Sequence, residues 1–429
     1  MTITSTRNDG GERMALRRAL ALMLAVTPLA GCDMDRLLES EAPTRLEAER
    51  LQSPTQAGLL LNGAIADFEC AHGAFVAGSA LMGDELEDAQ LAAAVWDWDR
   101  RSFNANPGGA YGTNVCNAQL FGVYTPLATA RWTADNLLNR LTTEWTDQQV
   151  AKRDSMIASA AVYAGFSLAE MGMILCSAAI DAGPEMSSTE LFRAAEERFT
   201  RAIAAATAAN TPTLRNAALA GRARVRLYLD NNAGAAEDAR QVPAGFVFNA
   251  TAADVSDSRR WNRIFHFVNF SRFHMVEEQS RNLTTGGVAD PRTRSTQTAD
   301  RALDGRPAVV QNKYASRASP LPITRYEEAQ LILAEIEGGQ TAINVINALR
   351  APHGLPQVSA AEAANLQNTL LEERRRELWL EGQRMYDIRR FNLPQAPAPG
   401  TPFAKGGVYG STLCLPLPDV ERFNNPSIS

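Results

Sequence analysis

Apolar residues recur at helical spacing along most of this chain, and two long stretches interrupt that rhythm. The segment SPTQAGLLLNGAIADFEC predicts a helix over 53–70, with Ser53 as its N-cap and Pro54 in the first turn, where a missing N–H is harmless. Residues 71–112 lose the helical period and gain glycine and aromatic residues, an excursion too long for a plain connector. Periodicity returns near Ala118 and predicts long helices over 120–141 and 148–179, whose Ala- and Gly-rich interiors permit close helix approach. Helical hairpins follow. One helix over 189–209 carries Phe192, Ala195, Phe199 and Ile203, the next over 214–230 carries Ala218, Ala220, Ala223 and Leu227, and an Asn231-Asn232 turn leads into 233–242.

Residues 243–320 form the second aperiodic region, dense in aromatics between Trp261 and Phe273 and then polar up to Pro320. Alternation over 263–267 and 269–273 predicts short strands there. A helix with Tyr326, Leu331, Leu333 and Ile336 on its apolar side starts near Thr324, and the chain after Leu393 is rich in Pro and Gly. Between these lies LLEERRRELWLEGQRMYDIRRFNL at 370–393, read as one helix and its exit. Glu373, Glu377 and Glu381 recur every four residues there, and like charges at that spacing destabilise an isolated helix. Groups off the helix, or Arg374, Arg376 and Arg384 beside them, must compensate. The expected architecture is mainly α: irregular helical hairpins with long loops and a few short strands in one domain over 53–429. Its helical scaffold spans 53–70, 118–242 and 322–393, its loop-rich excursions 71–117 and 243–321, and a C-terminal wrap 394–429.

Composition adds most at the N-terminus. With 45% hydrophobic and 21% charged residues the 429-residue chain has the make-up of a folded domain, but residues 1–31 stand apart. Arg13, Arg17 and Arg18 precede an apolar run that ends in Leu29-Ala30-Gly31-Cys32, a basic segment and short hydrophobic core of the kind that directs export. Leu-Ala-Gly-Cys resembles the bacterial lipobox, which implies lipidation of Cys32 and membrane attachment through the anchor alone. Residues 32–52 then form an acidic, flexible leader. Removing 1–31 takes away four arginines and two acidic residues and moves the net charge from −6 to −8, which disfavours nucleic acid as a partner. The remaining Cys70, Cys116, Cys176 and Cys414 are an even set in an exported chain. Pairing Cys70 with Cys116 closes the excursion between two predicted helices and leaves Cys176 with Cys414; free buried thiols are the alternative.

Catalytic and metal chemistry leaves no signature. The histidines His72, His266, His274 and His353 form no metal-binding pair, and there is no G-x-S-x-G, Walker or dinucleotide motif, so no catalytic residue, metal site or cofactor is expected. Asp84, Glu85, Glu87 and Asp88 lack the ligand spacing and turn glycine of a Ca²⁺ loop, and read as a solvated acidic loop. A hydrolase using a carboxylate pair such as Asp84 and Glu87 is the enzymatic alternative. Recognition is the better reading. Pyranose rings bury their C–H faces against aromatic rings while neighbouring polar groups take the hydroxyls. Trp96, Trp98, Phe103, Tyr111 and Trp261 are the candidates, and Trp96 and Trp98 would face one side of an extended segment.

Residues 373–390, E-R-R-R-E-L-x-x-E-G-x-R-x-x-D-x-R-R, closely resemble the C-terminal signature of SusD/RagB-like outer-membrane lipoproteins. LPITRYEEAQLILAEIE at 321–337 with AINVINALRAPHGL at 342–355 resembles the family's preceding helix pair, and CLPLPDVERFNNP at 414–426 resembles its closing segment. The hairpins over 189–242 resemble tetratricopeptide repeats, which this family uses as a scaffold. The resemblance implies a SusD-like fold and a non-enzymatic lipoprotein at the outer membrane, exposed to the cell exterior. Such a protein binds an oligosaccharide, or else an oligopeptide, and passes it to a SusC-like TonB-dependent transporter; a protein-binding scaffold is the further alternative. It also implies structural roles for Glu373, Arg375, Glu377, Glu381, Arg384, Asp387 and Arg389.

Overall fold

The computed structural model describes residues 53–103, 110–116 and 122–428; the export segment, Cys32 and the leader lie outside them. Eleven helices carry the argument. They are α1 (Ala57–Met82), α2 (Trp96–Arg100), α3 (Tyr124–Asn139), α4 (Arg153–Ile174), α5 (Ser188–Ala208), α6 (Pro212–Tyr228), α7 (Asn232–Ala239), α8 (Tyr326–Glu337), α9 (Gly339–Arg350), α10 (Leu366–Glu377) and α11 (Arg384–Phe391). The class is the expected one, helical hairpins with short two-stranded ladders between them.

α4 is the axis of the scaffold. By length and composition it could cross a membrane, but it is packed among α1, α3, α5 and α6 and is a core helix. Small residues make this possible: on α6, a Cβ at Gly221 would come within 2.5 Å of the Phe199 ring from α5. Ser187 caps α5 reciprocally with Glu190, a box visible in the sequence as S-S-T-E. Arg224 of α6 lies fully buried, donating to both carboxylate oxygens of Glu328 on α8 at 2.6 and 2.7 Å and to the Ile323 carbonyl at 2.7 Å. Both expected disulfides form, Cys70–Cys116 and Cys176–Cys414.

Several boundaries differ from the sequence reading. α1 continues beyond Cys70 to Met82, because AHGAFVAGSALM is buried on all sides and so shows no polar face to mark a helix. The helix expected over 148–179 is α4 alone; the chain leaves it at Leu175, which bridges to Leu415, and Ser177–Ala179 pairs with Glu185–Ser187. The strands expected over 263–273 are a π-helical turn, Phe265–Phe270, in which His266, Phe267 and Val268 are buried in succession and Ser271 N–H closes on the His266 carbonyl at 2.8 Å. A strand with one wet face cannot bury three consecutive side chains. The single helix expected over 370–393 is two, α10 and α11, because Leu380 and Gly382 adopt left-handed backbone between them.

Candidate functional site

After α1 the chain turns at Asp84 and forms the short strand Leu86–Asp88, antiparallel to His274–Val276. Strand alternation directs Glu87 outward and buries Leu86 and Asp88. The hairpin Ser295–Arg301 with Pro307–Gln311 brings in Gln297 and Arg306, and residues 397–409 of the C-terminal wrap close the other side with Phe403, Lys405 and Tyr409. Together these irregular segments enclose a cleft of about 450 Å³.

Donors and acceptors alternate around it. Glu87 accepts from Arg281 at 2.6 Å and from Arg306 at 2.5 Å; Lys405 donates to the Asp88 carboxylate at 2.5 Å; and Asp99 accepts from the Asp88 N–H at 2.8 Å. Burial pushes the Asp99 carboxyl up to about 7, against the pull of that N–H, and neighbouring Asp88 and Glu87 push the same way. Burial likewise raises the Glu277 carboxyl, and it raises the Tyr409 phenol, which therefore stays a hydroxyl. Phe403 and Tyr409 meet edge to face at 5.2 Å and form the aromatic wall. The cleft thus offers side-by-side N–H donors and carboxylate acceptors next to a ring, the arrangement that vicinal hydroxyls on a pyranose require.

The aromatics singled out from sequence do not form one platform. Trp96 and Trp98 lie on helix α2 rather than on an extended segment, so they diverge. Trp98 is buried over Gly78, where a Cβ would stand 2.6 Å from its ring, and forms an edge-to-face chain with Phe103 and Tyr111 at 5.2 and 5.5 Å. With Trp98 and Tyr111 fully enclosed, these rings are core. Trp96 is half-buried behind the cleft wall, 6.3 Å from Phe403, with its indole N–H on the Gln90 carbonyl at 3.0 Å. Trp261 does not line the cleft. Its indole N–H is held by the Val255 carbonyl at 2.7 Å, and the Arg317 guanidinium stacks between Trp261 and Phe270, 4.3 and 3.7 Å from their rings. Phe403, Lys405, Tyr409 and Arg306 escaped the sequence reading, since they stand in stretches without periodicity.

The acidic run at 84–88 is not a solvated loop. Asp84, Glu85 and Asp88 are buried: Asp84 takes a bidentate pair from Arg384 at 3.0 Å, and Glu85 accepts the Leu380 N–H at 2.9 Å. Burial pushes the Glu85 carboxyl up to about 8 despite that bond. These contacts tie the run to the segment between α10 and α11. Glu373 accepts from Arg292 at 2.5 Å and Arg350 at 2.9 Å, Glu377 from Arg292 and Arg325 at 2.8 Å each, and Glu381 from Lys313 at 2.6 Å and Arg325 at 2.9 Å. Compensation for the stacked glutamates therefore comes from off the helix. Arg374 and Asp387 form a buried bidentate pair at 2.9 and 3.0 Å, Arg375 donates to the Gln279 carbonyl at 2.9 Å, and Arg389 to Ser188 Oγ at 3.2 Å.

Residues 255–411 match the model of the SusD family. No curated protein matches the chain significantly. Among solved structures, the chain is similar to a SusD-like protein from Bacteroides fragilis NCTC 9343, at 14% identity over 90% of this chain and 98% of that one with a TM-score of 0.64. It is also similar to a SusD-like carbohydrate binding protein from Bacteroides vulgatus ATCC 8482, at 16% identity over 88% and 97% with a TM-score of 0.60. A laminarin binding SusD-like protein matches at 15% identity over 87% and 98% with a TM-score of 0.57. At such identities the structural likeness is one of fold. The fold is that of SusD-like proteins, and the stretch that matches the SusD family model includes both α10 and α11.

Proposed function

We propose that this protein is a non-enzymatic, lipid-anchored nutrient-binding protein of the outer membrane, attached through Cys32. It binds an oligosaccharide in the cleft between Arg306, Tyr409 and Glu277 and passes it to a SusC-like TonB-dependent transporter. The observation that carries this reading is the cleft itself, where irregular segments from distant parts of the chain set paired donors and acceptors beside an aromatic wall. Similarity to proteins described as carbohydrate binding and laminarin binding supports the ligand class. Residues 53–429 act as one domain behind the 32–52 leader, and Glu373, Arg375, Glu377, Glu381, Arg384, Asp387 and Arg389 serve to hold it together rather than to touch ligand.

Binding needs no bond-breaking step. Arg281, Arg306 and Lys405 are held by carboxylates before any ligand arrives, so little side-chain entropy remains to be lost when sugar hydroxyls replace water. Oligosaccharide and peptide arrays against the wild type and against Arg306→Ala with Tyr409→Ala test the ligand; glycan binding at least tenfold weaker in the double variant is expected, and unchanged binding, or binding of peptides alone, refutes the assignment. Extraction of the tagged protein from its native membrane tests the partner, a much larger β-barrel protein being expected to accompany it stoichiometrically.

A further inference from the structure

A different part of the molecule carries the chemistry of a second carbohydrate site. Trp132 on α3 is 54% exposed, unusual for an indole standing on the helical scaffold, and it borders two neighbouring concavities of about 450 and 380 Å³. Trp132, Asn136 and Asn139 fall at i, i+4 and i+7 and share one face of α3 over about 10 Å of helix axis, room for two linked pyranose rings. Arg198 and Arg201, three apart on α5, form the facing wall. Beyond Asn139 the helix continues as a π turn, Arg140–Glu144, which places Thr142 and Thr143 at the rim.

The wall is fixed from behind. Arg131 is buried and bidentate to Asp181 at 2.9 and 2.8 Å, and Arg198 grips Asp135 at 2.7 Å. In front of that framework, the exposed Asn139 amide and Arg201 guanidinium have no hydrogen-bonding partner among the described residues and are open to one. A protein-docking patch is built on several adjoining apolar side chains. Here a lone indole is ringed by Asp, Asn, Thr and Arg, so its apolar face is matched by hydroxyl-binding groups at its edge. That pairing suits the C–H face and rim of a sugar.

We propose that the groove along α3 binds an oligosaccharide, with one pyranose stacked on Trp132 and the adjoining unit hydrogen-bonded by Asn139 and Arg201. This second site is separate from the cleft and does not depend on it.

The test uses the mature protein labelled with 5-fluorotryptophan, with the Trp132 resonance assigned by Trp132→Phe. Cellohexaose, laminarihexaose, maltohexaose, xylohexaose and hexagalacturonate are titrated in turn, the last asking whether Arg201 favours a uronate. At least one is expected to move the Trp132 ¹⁹F resonance saturably, equally in the variant carrying Arg306→Ala and Tyr409→Ala, and at least tenfold more weakly in Arg201→Ala with Asn139→Ala. A resonance unmoved by every sugar, or one that moves only while the cleft is intact, or one insensitive to Arg201 and Asn139, overturns the proposal. Failure of the cleft reading would show instead as array binding unaffected by the cleft substitutions.

Discussion

Around Glu377 and Glu381 each carboxylate is enclosed by guanidinium and ammonium groups from elsewhere in the chain, whereas around Asp99 and Arg306 the same residue types line a cleft that solvent enters. Both clusters join α-helical and irregular parts of the fold. They differ in how far the paired charges are open to solvent. In the first, Arg292, Arg325 and Arg350 leave the glutamates nothing to offer a ligand. In the second, Arg306 is paired with Glu87 and Asp304 yet 40% exposed, and the Tyr409 hydroxyl has no hydrogen-bond partner among the described residues, so hydrogen-bonding capacity remains. The lesson is that a dense charge signature marks a brace here, and that the recognition surface lies where the sequence is least patterned.

The sharpest break of this comparison is Arg374→Ala. It leaves the buried Asp387 carboxylate with only Arg390, at 3.3 Å, and should cost about 3 kcal/mol in urea unfolding, because the bidentate partner of a buried charge is gone. Replacing both partners by Met and Leu should recover most of the loss; if the single variant is as stable as wild type, the network is not a brace. Opening Cys176–Cys414 by the double Ser substitution comes next, at about 2–4 kcal/mol, since the bridge closes a loop of 238 residues and ties the end of α4 to the C-terminal wrap. Chemical denaturation with and without reductant reads it.

Glu85 gives a pH test. Its carboxyl is raised from 4.5 to about 8 in the fold, so its contribution to stability is complete below pH 4.5 and is lost as pH rises toward 8. Glu85→Gln keeps an acceptor for the Leu380 N–H and should flatten this part of the stability–pH profile, the difference in slope being at most about 1.4 kcal/mol per pH unit. Parallel profiles for the two proteins would show that Glu85 titrates normally. Smallest in stability is Tyr409→Ala with Arg306→Ala in the cleft, expected within about 1 kcal/mol of wild type yet weakening glycan binding at least tenfold. Loss of stability with retained binding in one cluster, and the reverse in the other, is the pattern that separates them.

Much of the scaffold was legible. Helical spacing marked α5 and α6 within a residue or two, and the even cysteine set paired as expected. What misled was uniform burial. α1 beyond Cys70 has no polar face, and the run at 265–270 stays aromatic even where Phe270 is exposed, so no period distinguishes helix from loop or strand. Asp84 and Glu85 looked solvated because their partners, Arg384 and Leu380, are 300 and 295 residues away. The cleft was less visible still. Trp98 and Tyr111 have the right chemistry and the wrong exposure, while Tyr409 and Arg306 announce nothing in a Gly/Pro-rich wrap and a polar hairpin.

Hydrogen exchange with and without the best-binding oligosaccharide from the array would test the central claim most directly. The account predicts new protection in 275–281, 297–309 and 397–409, around the cleft, with α10 and α11 unchanged because their network is already closed. Protection confined to α10 and α11, or absent from the cleft segments at saturation, would contradict it.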